Sequence, residues 1–249
     1  MRKVIQAVGW STLLAVVCSG GLSALASDAG ASGCARLSWG TCDPWVENKN
    51  FGGPGTFLLV YSIFGSPDGN VGTDSQVRIR HLSGGSNAAV PDAWRFDDSG
   101  CQAGQVTFNN TGLSGCPTYR GTNPLSITQY AIESDGSATL RLAITYDNFT
   151  PSSSTRYTVW RINFQHTYSS TGATPSDHST CGGAEQCANF SLDFAEVLAL
   201  SGQTIYLSGC DSDASTGAPA GTLATWNGGC PTSAPPEAAT WGKVKGTYR

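Results

Sequence analysis

"LSITQYAIESDGSATLRLAITY", residues 125–146, decides the fold. Its two arms, LSITQYAI (125–132) and ATLRLAITY (138–146), carry the period-two pattern of strands. Between them ESDGS holds Asp135-Gly136, a dipeptide that turns a chain tightly enough to pair its flanks antiparallel. The same pattern recurs outward in both directions. TFLLVYSIF (56–64) is nearly continuous in apolar residues, as in a strand covered on both faces. SQVRIRHL alternates Val77 and Ile79 against Arg78 and Arg80. AWRFD sets Trp94 and Phe96 on one side, and QVTFN does the same with Val106 and Phe108. TVWRINFQHTY (158–168) aligns Trp160, Ile162 and Phe164; NFSLDFAEVLAL (189–200) alternates Phe190, Leu192 and Phe194; QTIYLS (203–208) adds Ile205 and Leu207. DFAEVLAL has helical content, but strand pattern on both sides favours a strand.

These segments predict an all-β chain: an antiparallel two-sheet β-sandwich of about nine strands with disulfide-stapled loops. Charged residues are 13% of the chain and glycines number 31, a balance that suits sheets and turns better than a helical bundle. Two polar insertions interrupt the strands, YSSTGATPSDHSTCGGAEQC (168–187) and DSDASTGAPAG (211–221).

Arg2 and Lys3, an apolar centre at Leu13–Val17 and the small-residue stretch Ala24-Leu25-Ala26 read as a signal peptide over 1–26, cut after Ala26. Acylation at Cys18 is the second reading, and the residues before Cys18 argue against it. Residues 27–33 then form a flexible N-terminus, 34–230 the sandwich, 231–239 a Pro/Ala linker and 240–249 a basic-aromatic tail. No other apolar stretch is long enough to span a bilayer. Losing Arg2 and Lys3 takes the net charge from −4 to −6, which excludes nucleic acid as a general partner. The chain is thus expected to be secreted, periplasmic or held at the cell surface.

Eight cysteines remain after cleavage, an even number in an exported chain, and so a disulfide framework. They fall into four sequence-local pairs: Cys34–Cys42, Cys101–Cys116, Cys181–Cys187 and Cys210–Cys230. Each would close a Gly- or Pro-bearing loop and contribute roughly 2–3 kcal/mol by chain entropy. No Cys-x2-Cys spacing points to zinc.

The order of an early apolar strand, then DAWRFDDSG, then TRYTVWRINFQHT, then late strands ending near TIYLSG resembles cohesin-type and related carbohydrate-binding sandwich domains over roughly residues 50–210. The resemblance lies in strand order and tempo and includes no specific motif. It implies the sandwich fold, and with it binding either through a sheet face or through presented aromatic side chains.

No catalytic residue is assigned. The three histidines, His81, His166 and His178, are scattered, and the mature chain has no Gly-x-Ser-x-Gly elbow. Asp97, Asp98, Asp193 and Glu196 are the carboxylates a hydrolase would draw on, with nothing in the sequence linking them. No cofactor is required. Calcium is the candidate ion, at Asp211, Asp213 and Ser215, although that loop has Thr216 and Thr222 where an EF-hand places Gly and Glu. Trp39, Trp45 and Trp226 stand in Gly-rich or loop contexts and are the candidates for stacking on sugar rings; packing against disulfides is the alternative. In the tail, Trp241, Val244 and Tyr248 fall at helical spacing, a stripe that could dock on the domain or on a sorting or docking partner; a disordered terminus is the other reading. Together these readings give an exported non-catalytic binding module for a protein or polysaccharide. A self-associating envelope or extracellular-layer component comes second, and a secreted hydrolase third.

Overall fold

The computed structural model describes residues 33–65, 69–83, 86–170, 180–210 and 222–230. Thirteen strands occur among them: β1 (Cys34–Trp39), β2 (Asn48–Lys49), β3 (Thr56–Phe64), β4 (Asn70–Ser83), β5 (Ser86–Ala88), β6 (Val106–Asn109), β7 (Leu125–Ile132), β8 (Ala138–Phe149), β9 (Arg156–Gln165), β10 (Ala188–Ala199), β11 (Thr204–Tyr206), β12 (Ser208–Gly209) and β13 (Leu223–Trp226). A five-stranded sheet has the order β12-β1-β3-β9-β6. An eight-stranded sheet runs β2-β13-β10-β4-β8-β7, with β11 added to β10 and β5 to β4. All pairings are antiparallel except two short ones, β1 with β12 and β13 with β2. The chain is therefore the two-sheet sandwich that its periodicity implied.

The hairpin at the centre of the sequence forms as its turn residues dictate. Ile132 faces Ala138 in register, Glu133 N–H donates to Ser137 O at 2.8 Å, and Gly136 N–H donates to Glu133 O at 3.0 Å. Gly136 has φ +80°, and a Cβ there would lie 2.8 Å from Ala89 Cα, so both backbone geometry and space require glycine.

Between the sheets lies one core. Leu37, Leu59, Ile63, Ile162 and Phe164 come from one side and Val77, Ile79, Leu140, Leu142, Ile144 and Phe190 from the other, all buried. At one end it becomes aromatic. Trp94 meets Trp226, Phe190 and Phe164 edge-on at centroid distances of 5.0, 5.0 and 5.3 Å, and Trp39 meets Phe190 at 5.1 Å. Such edge-to-face pairs fix ring orientation beyond the area they bury.

Three expectations need correction. AWRFD is not a strand. Pro91 precedes a 3-10 turn over Asp92–Trp94, and the Arg95 guanidinium folds back on Asp97 at 2.7 and 2.8 Å. Trp94 and Phe96 still reach the core, which is why their parity imitated a strand. The expected set also omitted β1 and β13, short buried strands set among cysteines and glycines.

The third correction is the cysteine pairing. The bonds are Cys34–Cys210, Cys42–Cys116, Cys101–Cys181 and Cys187–Cys230. Local pairing fails for a geometric reason. Cys34 opens β1 and Cys42 lies beyond its end, and the extended strand alone carries the chain about 17 Å away from Cys34, against the roughly 4–7 Å Cα spacing a disulfide needs. The intervals 101–116 and 210–230 likewise contain β6 and β13. Neighbours in the sheet are distant in the chain: Cys34 opens β1 and Cys210 directly follows its neighbour β12, and Cys187 and Cys230 stand beside paired β10 and β13.

Candidate binding face

The two outer faces of the sandwich differ. Over the five-stranded sheet, the loops carrying Cys42 and Cys116 are pinned together by their disulfide and pack with Leu113 on Leu58 and Val60. The outer face of the eight-stranded sheet carries large exposed apolar residues instead. Register fixes who stands beside whom. One row crosses Leu125, Thr145, Gly72, Leu198 and Thr204 on β7, β8, β4, β10 and β11. The next crosses Ile127, Ala143, Asp74, Glu196 and Tyr206, and a third Gln129, Arg141, Gln76 and Phe194. Directly opposed residues in antiparallel strands share a face, so these rows form one surface.

Apolar side chains frame this surface on both flanks. Leu125 is 76% exposed and Ile127 71% on the β7 side; Tyr206 is 70% and Leu198 37% on the other. Gly72, Asp74, Ala143, Thr145, Glu196, Leu198 and Thr204 line a trough between them. Gly72 keeps it open: a Cβ would stand 2.8 Å from Ile144 O. At the trough's wall the Arg141 guanidinium grips Asp74 through two nitrogens and lies 5.0 Å over the Phe194 ring. That hydrogen bonding raises the Arg141 pKa. Partial burial, then the neighbouring Asp74, raises that of Glu196. Further along the same face, the extra residue at a β10 bulge is Asp193, which accepts from Arg78 Nε at 2.7 Å and Gln76 Nε2 at 2.9 Å. The face thus grades from a charged, internally paired end to an apolar one.

Of the three tryptophans named as candidates for sugar stacking, with packing as the other reading, Trp39 and Trp226 are core residues, 2% and 0% exposed. Each satisfies its indole N–H inside the protein, Trp39 on Thr225 O and Trp226 on Ala184 O, both at 2.8 Å. Their glycine-rich context belongs to the tight turns around a buried aromatic cluster. Trp45 is half-buried, donates to Leu37 O at 3.0 Å and lies 5.8 Å below the Arg36 guanidinium. The three therefore present no common platform. Asp211, Asp213 and Ser215 lie outside the described residues, as do the signal segment, the linker and Trp241, Val244 and Tyr248 of the tail.

The hydrolase carboxylates do not assemble as a group. Asp97 is held by Arg95 and Ser99, which pull its pKa down to about 2. Asp193 is ion-paired with Arg78, and the register partner of Glu196 is Asp74. His166 and Ser169 do meet, Nδ1 to Oγ at 2.7 Å, but both are buried, and Gln102 Nε2 donates to the same Oγ at 2.7 Å. Their contact anchors a loop. Among the described residues, the one cluster of metal-ligand types is His81 with Cys187 and Cys230, whose sulfurs are joined to each other as a disulfide.

Leu125, Ile127, Leu198, Tyr206, Asp74 and Arg141 went unassigned in the sequence. One signal for them exists. LSITQYAI carries apolar residues on both parities, Leu125 and Ile127 on one and Tyr130 and Ile132 on the other. Leu198 and Tyr206 likewise break the parity of Val197 and Ile205. A strand that buries one face has no folding need for those residues.

No family model and no curated protein matches the chain. Solved structures similar to it are cohesin modules. One is a type II cohesin domain from the cellulosome of Acetivibrio cellulolyticus, at 8% identity over 79% of this chain and 95% of that one, TM-score 0.39. Another is the cohesin module of a family 33 glycoside hydrolase from Clostridium perfringens, at 12% identity over 78% and 93%, TM-score 0.35. A third is the sixth cohesin of Acetivibrio cellulolyticus scaffoldin B, solved with a Cel5 dockerin, at 12% identity over 78% and 98%, TM-score 0.32. The likeness is a weak one of fold, as strand order in the sequence had suggested.

Proposed function

We propose that this chain is an exported binding module whose partner is a protein, docked on the outer face of the eight-stranded sheet. The observation that carries the reading is the pair of exposed apolar flanks, Leu125 with Ile127 and Leu198 with Tyr206, set around a trough that holds one ion pair and one carboxylate of raised pKa. Large apolar side chains exposed together on one face of a folded domain mark a surface for a protein partner. A polysaccharide reading needs a platform of rings, and Tyr206 is the one highly exposed ring on this face among the described residues. Four disulfides support export, and no helix among the described residues is long and apolar enough to cross a membrane. The reading requires no cofactor. Calcium at Asp211, Asp213 and Ser215 belongs to it as a separate proposal, tested by whether calcium raises the melting temperature.

The test is a comparison of baits against the exported proteins of the source organism, with cross-linking and mass spectrometry. The wild-type domain and a Trp45→Ala variant, altered on the opposite side of the sandwich, are expected to retain the same partner. Leu198→Arg with Tyr206→Ala is expected to lose at least tenfold in affinity, the scale of a truncated interface anchor, about 1.4 kcal/mol or more. Equal retention by all three baits removes this face as the site. Retardation of the wild type on a polysaccharide gel, abolished by Tyr206→Ala, replaces the protein partner with a sugar.

A further inference from the structure

We propose that two copies of this chain associate edge to edge through β7, across a twofold axis near Ile127. The case starts from how the other edges are built. Among the described residues the sheets otherwise end on, or carry as added pieces, strands of two to four residues: β12 and β2 with two each, β11 and β5 with three, β6 with four. Short edges offer too few free N–H and C=O groups to template a neighbour. β7 is eight residues long, closes its sheet and has no strand on its far side.

Its sequence adds none of the usual protection. LSITQYAI contains no charge, no proline and no glycine. Pairing with β8 is free of register shifts, so no bulge twists the edge away. Residues 125–129 are exposed in succession, both parities alike, so the strand overhangs the opposite sheet.

A second copy fits this edge better than an unrelated strand for two reasons. In antiparallel self-pairing centred on Ile127, that residue meets its own counterpart, with Leu125 opposite Gln129 and diagonal to the partner's Ile127. All of these stand on the outer face, so the most exposed apolar side chains of both copies cover one another. Copies of a chain with net charge −4 repel, and least so where the contact strand carries no charge. Each copy has one such edge, so assembly closes at two. The product is a continuous sheet of sixteen strands, twice the eight of one copy.

Sedimentation velocity across the micromolar range tests this. The wild type is expected to pass from monomer to dimer as concentration rises. Ile127→Lys, which sets two ammonium groups against each other on the axis, is expected to stay monomeric, with the thermal midpoint that the wild type has at concentrations where it too is a monomer. Ile127→Cys is expected to give a covalent dimer on a non-reducing gel. A wild type that stays monomeric throughout, a dimer that survives Ile127→Lys, or an oligomer that grows without limit each overturns the proposal. Self-association covers the Leu125–Ile127 flank and leaves the trough and the Leu198–Tyr206 flank to the proposed partner, so partner binding is read separately from Leu198 and Tyr206.

Discussion

Replacing Cys34 and Cys210 together by serine is expected to lower the domain's unfolding free energy by roughly 4–5 kcal/mol, read from urea midpoints of variant and wild type. The bond joins residues 176 apart, and in the chain-entropy account the constraint on the unfolded state grows with the logarithm of that loop. Cys187–Cys230, at a separation of 43, is expected to contribute about 4 kcal/mol by the same account. The loops overlap, so the double losses should not add. A natural domain is stable by about 5–15 kcal/mol, so losing one such bond consumes a large part of the margin. A loss below about 1 kcal/mol for Cys34 and Cys210 would sink the entropic account here and point to an unfolded state that stays compact without the bond.

The second large effect is a loss of stability in mild acid. His166 is buried, stacked on Trp226 at a centroid distance of 5.4 Å and flanked edge-on by Trp94, Phe96 and Phe57. Ser169 Oγ accepts from Gln102 Nε2 and pairs with His166 Nδ1, while His166 Nε2 has no hydrogen-bond partner among the described residues. A second proton would place a charge among aromatic rings, and burial pushes the pKa down to about 3. The unfolded chain titrates near pH 6.5, so between those values it binds a proton that the folded protein refuses. Stability is complete above pH 6.5 and falls as pH drops toward 3, by about 3 kcal/mol at pH 4 on the linkage relation. Asp97, at about 2, loses its contribution in a lower window, below its ordinary 3.8. Glu196, whose pKa is raised, titrates in the same interval and works in the opposite sense, so the histidine's share is the part of the slope that His166→Gln removes. Urea midpoints over that interval should slope for wild type and flatten for His166→Gln, whatever that variant costs at neutral pH. Parallel slopes would refute the assignment.

The sandwich was legible because period two is local. Eight of the segments read as strands are strands, and the turn at Asp135-Gly136 falls where its residues place it. What failed was non-local. Cysteine pairing depends on which strands become neighbours, and the spacing of Cys34 and Cys42 carries no information about β12. Trp39 and Trp226 stand beside glycines in the sequence, yet both rings are packed into the aromatic core. The candidate face was half legible: the wrong-parity residues Leu125, Ile127, Leu198 and Tyr206 stand in the sequence, but their assembly into one surface needs the register of β7, β8, β4, β10 and β11.

The crossed cysteine bonds also bear on survival among proteases. Every peptide bond from Cys34 to Cys210 lies inside the ring closed by those two residues, and every one from Cys210 to Cys230 inside the ring closed by Cys187 and Cys230. A single cut anywhere in that span therefore opens a ring without releasing a fragment. Nicked protein should run as one band on a non-reducing gel and as two after reduction. Four sequence-local bonds would have left the long stretch between Cys42 and Cys101 open to scission into separate pieces. Damage at one site then leaves the two parts of the chain covalently joined.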